Sequence, residues 1–461
     1  MDWKDGKVLV LGLGDTGLSM ARWLTRRGAR VTVADTRAAP PHAAALEAEL
    51  PQVEIHTGAW RAASFEAVDA IAISPGVDRR EPLVARALRE GVPVVGDIEL
   101  FAQALPALAR SRGRARPAIL AVTGSNGKST VTAMAGAACR AAGRETLIAG
   151  NIGLPVLDAL GEMEDGALLP EVAVLELSSF QLESTASLAP EAATVLNVTE
   201  DHLDRYEGIE DYASAKARIF DGARVQIVNR MDPRTLAMAR EDAVSFGLDA
   251  PRAARDWGLT ESGNLALGAM PLMRAADLPL AGLHNAANAL AALALGDAIG
   301  LDTAAMLEGL RGFEGLPHRL QRIAEIRGVT FYVDSKGTNV GATVAALNGM
   351  TTPVVLIAGG DGKGQDFSPL APAVAARARA VVLIGRDAPS IARAVAGGAV
   401  PLLAAESMED AVEAAYRAAS PGDAVLLSPA CASYDMFRSY VHRGEVYCQA
   451  VRALAGREGP Q

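Results

Sequence analysis

Short apolar runs alternate with longer alanine-rich stretches along the whole chain. The runs are rich in Val, Ile and Leu, and the stretches between them have the spacing of amphipathic helices. This alternation is typical of parallel sheets built from strand–helix–strand units, so we predict an α/β fold. The pattern predicts strands at residues 7–13, 30–35, 69–74, 92–96, 118–123, 171–177, 192–198, 224–229, 329–334, 353–358, 380–384 and 423–428.

The predicted strands fall into three groups, and a length of 461 residues allows about three domains of about 150 residues each. Between the first two groups lies "PALARSRGRARPA" (106–118), which is polar, basic and flanked by prolines, as linkers are. We place the first boundary near residue 112 and the second near residue 315, beside "GFEGLPHRLQ". The predicted domains are therefore 1–112, 113–315 and 316–461.

A first glycine-rich turn follows the first strand and precedes a helix. Gly12, Gly14 and Gly17 form the pattern G-x-G-x-x-G, and Asp35 ends the next strand. In this context the glycines let backbone N–H groups approach a phosphate at a helix N-terminus. The turn fits a nicotinamide or flavin cofactor, but it fits any other nucleotide diphosphate as well. A purely structural reading, with glycines that only allow close packing of helix and strand, stays open too.

A second glycine-rich turn, "VTGSNGKST" at 122–130, also joins a strand to a helix. Its backbone amides, lysine ammonium and hydroxyl groups would converge on a triphosphate and its metal ion. The residues concerned are Gly124, Gly127, Lys128, Ser129 and Thr130. The general pattern G-x-x-x-x-G-K-[ST] is incomplete, since Val122 stands where the first glycine belongs. We nevertheless predict that the central domain binds ATP.

A triphosphate-bound metal ion needs further ligands, and two strand ends of the central domain offer them. Glu176 ends one strand, and the segment 197–206 follows another, so both lie at the carboxyl edge of a parallel sheet. That segment supplies Glu200, Asp201, His202 and Asp204. We expect metal or substrate contact there, with solvated turns as the alternative. Farther on, Asn285 could cap a helix and Asn288 could pair with a base edge.

Composition narrows the classes of partner. A net charge of −10 and a pI near 5.3 argue against a surface for nucleic acids or anionic membranes. The three cysteines, Cys139, Cys431 and Cys448, are too few and too scattered for a disulfide framework or a zinc cluster. The sequence has no cationic leader and no apolar run of about 18 residues. We therefore expect a cytoplasmic protein with small-molecule partners, no nucleic acid and no membrane contact.

Taken together and in order, these motifs resemble the Mur ligases over nearly the whole chain. In that family the central turn reads T-G-x-x-G-K-[ST], which accounts for Val122. The blocks that carry the resemblance are "GLGDTGLS", "ADTR", "ISPGV", "VTGSNGKST", "AGNIGLP", "LELSSFQLE", "NVTEDHLDRY", "LHNAANALAA", "GLPHRLQ", "VDSKGTN", "GGDGKGQDF" and "LSPACASYDMF". The resemblance implies a Rossmann-like N-terminal domain, a central P-loop ATPase domain and a Rossmann-like C-terminal domain.

The resemblance also implies a reaction: ATP-dependent ligation of D-glutamate to UDP-N-acetylmuramoyl-L-alanine through an acyl phosphate, by a monomer. The first glycine turn would then hold UDP and the second ATP. The implied UDP-sugar contacts are Asp15, Thr16, Asp35, Thr36, Arg37, Ser74, Asn151 and His202. Asp15 departs from the family, where an apolar residue is commoner, and its carboxylate would repel a diphosphate. We therefore expect the Asp15 side chain to point away from the nucleotide.

The implied ligands of two Mg²⁺ ions are Ser129, Glu176, His202 and Lys216, the lysine as a carbamate. Without the resemblance, Lys216 would count as an ordinary lysine on a helix surface. The catalytic residues would be Lys128, His202 and Lys216. The implied ATP contacts are Gly124, Ser125, Asn126, Gly127, Lys128, Ser129, Thr130, Asn285, Asn288, His318, Arg319 and Asp334.

The implied D-glutamate pocket lies in the third domain. Its residues are Lys336, Thr338, Lys363, Ser433, Tyr434 and Tyr440. The two tyrosines replace Leu and Phe of some relatives, which changes the polarity of one wall. From the residues alone, Lys336 and Lys363 each follow a strand and a turn, where a lysine can meet a carboxylate or phosphate or simply lie in solvent.

Two other classes of function compete with this reading. A nicotinamide-dependent dehydrogenase would explain the first glycine turn and leave the second unused. An ATPase or nucleotide switch would explain the second turn and leave the first unused. Within the ligases, the nearer alternatives are a folate polyglutamylating enzyme and a Mur ligase that adds lysine or diaminopimelate. The tetrapeptide Asp-Asn-Pro-Arg of the diaminopimelate-adding enzymes does not occur in this chain.

Overall fold

A computed structural model of the chain describes residues 3–201, 205–280 and 282–458. His202 and Asp204 lie outside these ranges. The chain divides into two compact units, one of residues 1–196, 212–245 and 291–309, the other of residues 197–211, 246–290 and 310–461.

The elements alternate between strand and helix, as the sequence pattern predicts. The strands are β1 (Lys7–Leu11), β2 (Arg30–Asp35), β3 (Glu54–Thr57), β4 (Ala70–Ile73), β5 (Val94–Val95), β6 (Ala118–Thr123), β7 (Thr146–Gly150), β8 (Val172–Glu176), β9 (Ala192–Val195), β10 (Val225–Asn229), β11 (Val244–Phe246), β12 (Trp257–Leu259), β13 (Asn264–Leu267), β14 (Met270–Arg274), β15 (Gln321–Ile326), β16 (Val329–Val333), β17 (Val354–Gly359), β18 (Ala378–Ile384), β19 (Leu402–Ala404) and β20 (Ala424–Leu427). The helices are α1 (Asp15–Arg26), α2 (Ala43–Glu49), α3 (Pro82–Arg89), α4 (Asp97–Ser111), α5 (Lys128–Ala141), α6 (Val156–Glu164), α7 (Ser179–Glu183), α8 (Ile209–Ala217), α9 (Pro233–Ala237), α10 (Leu283–Asp297), α11 (Thr303–Arg311), α12 (Val340–Gly349), α13 (Leu370–Arg377), α14 (Ala388–Val395), α15 (Met408–Ala418) and α16 (Tyr440–Glu458).

Every strand predicted from the sequence is present, with ends that differ by a few residues. The prediction missed β3, β7, β15, β19 and the short strands β11 to β14. The missed strands β3, β15 and β19 are largely exposed or half-buried, so they lack the continuous apolar run that reveals a buried strand.

In the first unit, one sheet is formed by the N-terminal residues. Its strand order is β3-β2-β1-β4-β5, and each neighbouring pair is parallel. The central strand β1 is buried, with Leu9, Val10 and Leu11 fully inaccessible to solvent. Since β1 lies between β2 and β4, the segments that follow these three strands meet at one edge of the sheet.

A second parallel arrangement in the first unit surrounds β6. Strand β6 pairs with β8 on one side and with β9 on the other, β7 pairs with β8, and β10 pairs with β9. In this register Glu176 lies opposite both Val122 and Gly150. The glycine-rich turn after β6 and the carboxylate that ends β8 are therefore neighbours at one sheet edge.

The basic segment after the N-terminal sheet is packed, contrary to the linker prediction. Helix α4 continues to Ser111, so the first half of the predicted linker is helical. Beyond it, Arg112 donates to the carbonyl oxygen of Ala167 at 2.6 Å, and Arg116 pairs with Glu191 at 2.5 Å. The arginines that suggest a solvated linker instead donate to carbonyl oxygens and pair with a carboxylate. These contacts fix the segment against residues of the central sheet and its connections.

The second unit contains an antiparallel ribbon and a larger sheet. Strands β12, β13 and β14 form the ribbon. The larger sheet has the order β15-β16-β20-β17-β18-β19, in which β15 is antiparallel to β16 and the other pairs are parallel. Apolar clusters cover it on both faces, one around Phe331 and Tyr447 and the other around Leu356 and Leu370. The central strands β16, β20 and β17 thus deliver three loops to one edge.

Two further sequence expectations concern cysteines and membranes. Cys139, Cys431 and Cys448 are all buried free thiols. Across the described ranges, none of the helices combines the length and the apolar character that a membrane crossing requires.

Candidate active site

The first glycine-rich turn adopts a conformation that requires its glycines. Gly12 has φ +86°, and a Cβ on Gly17 would lie 1.8 Å from the carbonyl oxygen of Gly12. Helix α1 therefore contacts the turn backbone directly. Gly14 has open space at its Cβ position and is the N-cap of α1. The turn leaves the N-terminus of α1 accessible to a ligand, as phosphate binding needs.

Asp35 supports this turn from the end of β2. Its Oδ2 accepts from Leu13 N at 2.7 Å, and its Oδ1 accepts from Arg37 N at 2.8 Å and Nε at 2.9 Å. Burial alone would raise the pKa of Asp35, but these hydrogen bonds and the charge of Arg37 lower it to about 2. The carboxylate is thus ionised and engaged with the protein. This arrangement does not favour the ribose contact of a dinucleotide site, in which the acidic residue accepts from the hydroxyl.

The other residues expected near UDP lie around the same turn. Ser74, buried after β4, donates to the carbonyl oxygen of Gly12 at 3.1 Å. The Asp15 side chain is 82% exposed, and its Oδ1 lies 2.7 Å from His42 Nε2. Thr16 lies in the first turn of α1, and Thr36 is exposed after β2. The structure brings all these residues to one edge of the N-terminal sheet.

The second glycine-rich turn contains two glycines with positive φ and leads directly into a helix. Gly124 has φ +153° and Gly127 has φ +83°, and helix α5 begins at Lys128. The Lys128 Nζ donates to the carbonyl oxygens of Gly124 and Ser125 at 2.9 and 3.0 Å. The lysine ammonium therefore folds back over the loop, where it can meet the phosphate that the loop amides would bind.

Lys216 lies at the same loop. Its side chain, in a residue that is 1% exposed, donates to the carbonyl oxygen of Gly124 at 2.9 Å and lies 4.4 Å from the centre of the Tyr212 ring. The alternative of an ordinary surface lysine is therefore wrong. Lys128 and Lys216 share one carbonyl acceptor, so two cationic side chains converge on the turn.

Glu176 has the features of a metal ligand. The residue is 2% exposed, and its Oε1 accepts from Asn151 Nδ2 at 3.0 Å. Its Oε2 has no hydrogen-bond partner among the described residues. A buried carboxylate oxygen without a partner is costly unless a cation binds it. Ser129, buried at the start of α5, supplies a hydroxyl of the kind that binds Mg²⁺ beside a phosphate loop.

The chemistry of Glu176 and Ser129 therefore fits Mg²⁺, and the third expected ligand, His202, lies outside the described residues. No group of three or more His, Cys, Asp or Glu side chains with metal-binding geometry occurs within the described ranges. Asn151 is fixed beside Glu176 by a second contact, since its N–H donates to the Glu176 carbonyl oxygen at 2.8 Å. A Cβ on Gly150 would lie 2.2 Å from that same oxygen, so the close approach requires glycine.

The second unit carries the remaining residues expected at ATP. Asn288 Nδ2 donates to Asn285 Oδ1 at 3.2 Å, so these two amides form a pair on α10. His318 has φ +60°, and it packs so tightly on Gly444 that a Cβ there would lie 2.3 Å from the imidazole Nδ1. Burial lowers the pKa of His318, which favours the neutral ring. Lys336 N donates to the His318 carbonyl oxygen at 3.2 Å, which joins two of the predicted sites.

Asp334, at the end of β16, connects these residues to the neighbouring strand. Its Oδ2 accepts from Ser428 Oγ at 2.8 Å, and its Oδ1 accepts from Leu320 N at 3.3 Å. Burial raises the pKa of Asp334 to about 6, while the Ser428 hydrogen bond and the charge of Arg319 act in the opposite direction. This carboxyl group can therefore change its protonation state not far below neutral pH.

The residues expected to bind D-glutamate follow three adjacent strands of the larger sheet. Lys336 and Thr338 follow β16, Ser433 follows β20, and Lys363 follows β17. Ser433 is buried, and the Lys336 Nζ lies 3.9 Å from the centre of the Tyr440 ring. These loops therefore place cations and hydroxyls at one edge of the sheet. Tyr434, by contrast, is 76% exposed.

A carboxylate of the chain itself lies in this group. The Lys363 Nζ contacts Asp201 Oδ1 at 2.9 Å, and Asn339 Nδ2 donates to Asp201 Oδ2 at 3.4 Å. Lys363 has φ +52°, a left-handed conformation that is uncommon for a lysine. The geometry shows that the Lys363 ammonium is well placed to hold a carboxylate.

The sequence interpretation missed several residues that hold this edge together. The Arg443 side chain, fully buried at the start of α16, bonds to Ser335 and to the carbonyl oxygens of Cys431 and Ala432. Gln365 spans three loops in a similar way. Nothing in the pattern distinguishes Arg443 from an exposed helix arginine, which is the usual case. Asn339 does carry a signal, because Asn before a helix is a common N-cap, and its Oδ1 accepts from Ala342 N.

Comparison with protein families agrees with this architecture. The model of the Mur ligase MurD-like N-terminal domain matches residues 6–96. The model of the Mur ligase middle domain matches residues 122–296, and that of the Mur ligase glutamate ligase domain matches residues 318–431. The matches follow one another along the chain in the order of the three predicted domains.

Relatives of high identity span the whole chain. A protein of Thiobacillus denitrificans named UDP-N-acetylmuramoylalanine--D-glutamate ligase is 60% identical over 460 residues, which cover 98% of this chain and 97% of the relative. Proteins of the same name from Methylobacillus flagellatus and Nitrosospira multiformis are 56% and 55% identical, with coverage of 99% and 100% of this chain and 98% of each relative.

Solved structures of lower identity share the fold. A pseudomurein peptide ligase type C from Methanothermus fervidus aligns with a TM-score of 0.60 at 18% identity, covering 97% of this chain and 100% of the other. UDP-N-acetylmuramate-alanine ligase MurC from Thermotoga maritima aligns with a TM-score of 0.59 at 19% identity and the same coverage. With three matching domain models and full-length relatives at 55–60% identity, the chain belongs to the Mur ligase family.

Proposed function

We propose that this chain catalyses the ATP-dependent ligation of D-glutamate to UDP-N-acetylmuramoyl-L-alanine, with release of ADP and phosphate, in the synthesis of peptidoglycan precursors. The observation that carries the proposal is the 60% identity, over nearly the full length, to a protein named for this reaction. The site supports it independently. A phosphate loop with two converging lysines explains the use of ATP, and a cationic edge on the larger sheet suits a dicarboxylic amino acid.

The reaction would proceed in two steps. The carboxylate of the L-alanyl group attacks the γ-phosphorus of ATP, which gives an acyl phosphate and ADP. The free amine of D-glutamate then attacks the acyl carbon, its nitrogen loses a proton to water, the tetrahedral species collapses to the amide, and phosphate leaves with the bonding electrons. Phosphorylation turns a poor leaving oxygen into a good one, so each step has an accessible barrier.

In the first step, Lys128 would neutralise charge on the transferred phosphoryl group, while the amides of the glycine turn orient it. The N-terminus of α1 would hold the UDP diphosphate, with Asn151 close to the reacting end of the donor. Mg²⁺, when bound by Glu176, Ser129, His202 and a carbamate on Lys216, supplies positive charge that stabilises the developing negative charge on phosphate oxygens. Asn285, Asn288, His318, Arg319 and Asp334 would complete the ATP contacts.

In the second step, the edge formed by the loops after β16, β20 and β17 would hold D-glutamate. Lys363, Thr338 and Ser433 offer a cation and two hydroxyls for its side-chain carboxylate, with Lys336 close by. The exposed Tyr434 and the Tyr440 ring beside Lys336 would form the wall of the pocket. A site whose buried donors need acceptors discriminates against ligands that lack them, so D-glutamine and D-alanine should be poor substrates.

The test is phosphate release with UDP-N-acetylmuramoyl-L-alanine as donor and a panel of amino acids as acceptors. We expect efficient release with D-glutamate and little with L-glutamate, L-lysine or diaminopimelate. Phosphate release that does not depend on any amino acid would indicate an ATPase, and efficient use of lysine or diaminopimelate would indicate a sister ligase. Lys128→Ala should lower turnover by roughly two orders of magnitude or more, because it removes a cation from the transferred phosphoryl group. Near-normal ligation by the folded variant would contradict the ATP site.

The domain boundaries at about residues 112 and 315 belong to the same proposal, as do a monomeric state and a cytoplasmic location. A cytoplasmic enzyme would have ATP and the sugar nucleotide available, and the acidic net charge of −10 does not suit nucleic acids or anionic membranes. Light scattering coupled to size-exclusion chromatography would test the monomer. Limited proteolysis would test the boundaries, since cleavage concentrates in exposed connections between domains.

A further inference from the structure

Residues around the start of α4 contact the segment 178–187, which includes α7 and connects β8 to β9. Arg79 donates to the carbonyl oxygen of Glu183. Gly96 approaches so closely that a Cβ there would lie 2.3 Å from Ser184 Oγ. Glu99, in the first turn of α4, accepts from the backbone N–H groups of Ala186 and Ser187 at 2.7 and 2.9 Å. Polar contacts thus hold the segment along its whole length.

One contact in this set differs from the others because it reaches toward Glu176. Asp97, the first residue of α4, is 2% exposed, and its Oδ2 accepts from Gln181 Nε2 at 3.1 Å. Gln181 is 3% exposed. Its Oε1 accepts from Ser178 N at 3.1 Å and from Ser178 Oγ at 3.2 Å, which completes a capping box at the start of α7.

This pair of contacts fixes which way the Gln181 amide faces. An ionised Asp97 offers only acceptors, so the amide nitrogen must point to Asp97 and the amide oxygen to Ser178. A rotated amide would leave the Ser178 N–H without its acceptor and would place an oxygen against a carboxylate. Asp97 therefore determines the geometry of the helix cap, although it lies on α4, about eighty residues earlier in the chain.

Ser178, the N-cap of α7, is two residues from Glu176, and the backbone between them is fixed by hydrogen bonds. The intervening Leu177 is held by its N–H, which donates to Val122 O at 2.9 Å, and by its carbonyl oxygen, which accepts from Thr123 Oγ1 at 2.6 Å. Glu176 itself is held by Asn151 Nδ2 at 3.0 Å. A displacement of Ser178 would consequently shift the backbone that carries the Glu176 carboxylate.

We propose that Asp97 is a positioning residue for the magnesium site: through Gln181 and the α7 cap it sets the position of the Glu176 carboxylate. The inference rests on the proposed function, since it takes Glu176 as a metal ligand. It links the sheet that would bind the UDP-sugar to the residue that would bind the metal. Partners that orient a metal ligand typically change metal affinity by about 10- to 100-fold when they are lost.

The experiment exchanges the hydrogen-bond donor and acceptor between positions 97 and 181. Gln181→Glu keeps an acceptor for Ser178 but puts two carboxylates against each other. Asp97→Asn combined with Gln181→Glu restores a donor–acceptor pair with the same total charge, since the amide introduced at position 97 then donates to the new carboxylate. Glu99→Gln is the matched control, because Glu99 lies in the same helix turn as Asp97 but bonds to Ala186 and Ser187, at the other end of the segment from Ser178. Mn²⁺ binding in the presence of ADP, followed by electron paramagnetic resonance, is measured beside the Mg²⁺ dependence of ligation.

We expect Gln181→Glu to weaken Mn²⁺ binding and raise the half-saturating Mg²⁺ concentration by about tenfold. The double variant should return both to within about twofold, and Glu99→Gln should leave both unchanged. Unaltered metal binding in Gln181→Glu, no recovery in the double variant, or an equal loss in Glu99→Gln would each overturn the proposal. If Gln181→Glu does not fold, Gln181→Met, neutral and of similar size, replaces it with the same expectation. A wild-type chain that binds Mn²⁺ but does not ligate D-glutamate would contradict the proposed function and leave the metal comparison intact.

Discussion

Substitution of Arg443 tests whether one buried cation holds together the loops after β16 and β20, which would bind D-glutamate. Its Nε donates to Ser335 Oγ at 3.0 Å, and its Nη2 donates to Ser335 O at 2.8 Å. Its Nη1 donates to Cys431 O at 3.0 Å and to Ala432 O at 3.2 Å. The two loops that this guanidinium joins carry Lys336 and Thr338 on one side and Ser433 on the other. Burial lowers the pKa of Arg443 to about 10, so the side chain is still charged at neutral pH.

The magnitude follows from what Arg443→Met leaves behind. The carbonyl oxygens of Ser335 and Cys431 lose the donors named above, whereas Ala432 O keeps the N–H of Asp361 at 3.0 Å. A buried acceptor without a donor costs about 1–3 kcal/mol, so two of them cost about 2–6 kcal/mol. Because Arg443→Met also removes the cost of burying a charge, we expect a net destabilisation of about 2–4 kcal/mol. Arg443→Lys keeps the charge but lacks the planar fork that spans both loops, so it should recover only part of the stability.

The assays are hydrogen exchange of the amides in residues 335–338 and 431–434, and the KM for D-glutamate. We expect Arg443→Met to lose protection in both loops and to raise this KM, while nucleotide binding at the glycine turn after β6 is retained. Arg417→Met is the control, because Arg417 lies in the same unit, is 76% exposed and pairs only at the surface with Glu413. Unchanged hydrogen exchange in both loops would refute the reasoning. A normal KM for D-glutamate in a variant whose loop amides have lost protection would refute it as well.

Three further predictions concern the first unit. Lys216→Ala should lower activity about 100-fold, with partial recovery on addition of a small carboxylate such as formate, and a carbon-13 spectrum that shows only a free Lys216 amine under bicarbonate would contradict the carbamate. Burial raises the pKa of Asp97 from 3.8 to about 6, so its contribution to stability is complete below about pH 4 and is lost as the pH rises through about 6. The unfolding free energy of Asp97→Asn should therefore depend less on pH than that of the wild type, and above pH 7 it should be higher by about 1–3 kcal/mol. Parallel plots of unfolding free energy against pH would contradict the raised pKa of Asp97. Gly17→Ala should destabilise by about 3 kcal/mol or more and abolish UDP-sugar binding, because its Cβ would overlap the Gly12 carbonyl, whereas calorimetry should find Gly14→Ala, with open space, tolerated.

Much of the fold was predictable because buried parallel strands produce a strong local signal. Continuous apolar runs such as β6 and β17 were found, together with the turns that follow them. Edge strands such as β3 and β19 were not, because exposed or half-buried residues carry no such run. The helical extension to Ser111 was missed because an interior proline and several arginines suggested a linker. The carbonyl groups that those arginines bond lie about fifty residues away in the sequence, where no local pattern could indicate them.

The candidate site shows the same division between local and distant signals. The residues of the second glycine turn could be proposed from the sequence because the roles expected of them follow from a single turn. The burial of Lys216 could not be derived from its own helix, since it depends on the glycine turn 92 positions away, and only the family resemblance indicated it. Arg443, Asp97 and Gln181 were missed for a related reason. Each satisfies groups on a distant loop, and a buried charge or amide of this kind has no characteristic spacing.

The two glycine-rich turns lie in the same compact unit of the chain. The α1 turn, the glycine turn after β6, Glu176 and Asn151 lie in the first unit, whereas the remaining residues expected at ATP belong to the second. The groups that would hold D-glutamate, Lys336, Thr338, Lys363 and Ser433, all lie in the second. Formation of an acyl phosphate needs the donor carboxylate in line with the γ-phosphate, which demands a rigid relation between the two glycine turns. The buried Asp97–Gln181 contact would contribute to that rigidity within the first unit. The proposed function would therefore explain both glycine-rich turns by one requirement: two phosphate-bearing substrates would be held in a fixed relation before the amine attacks.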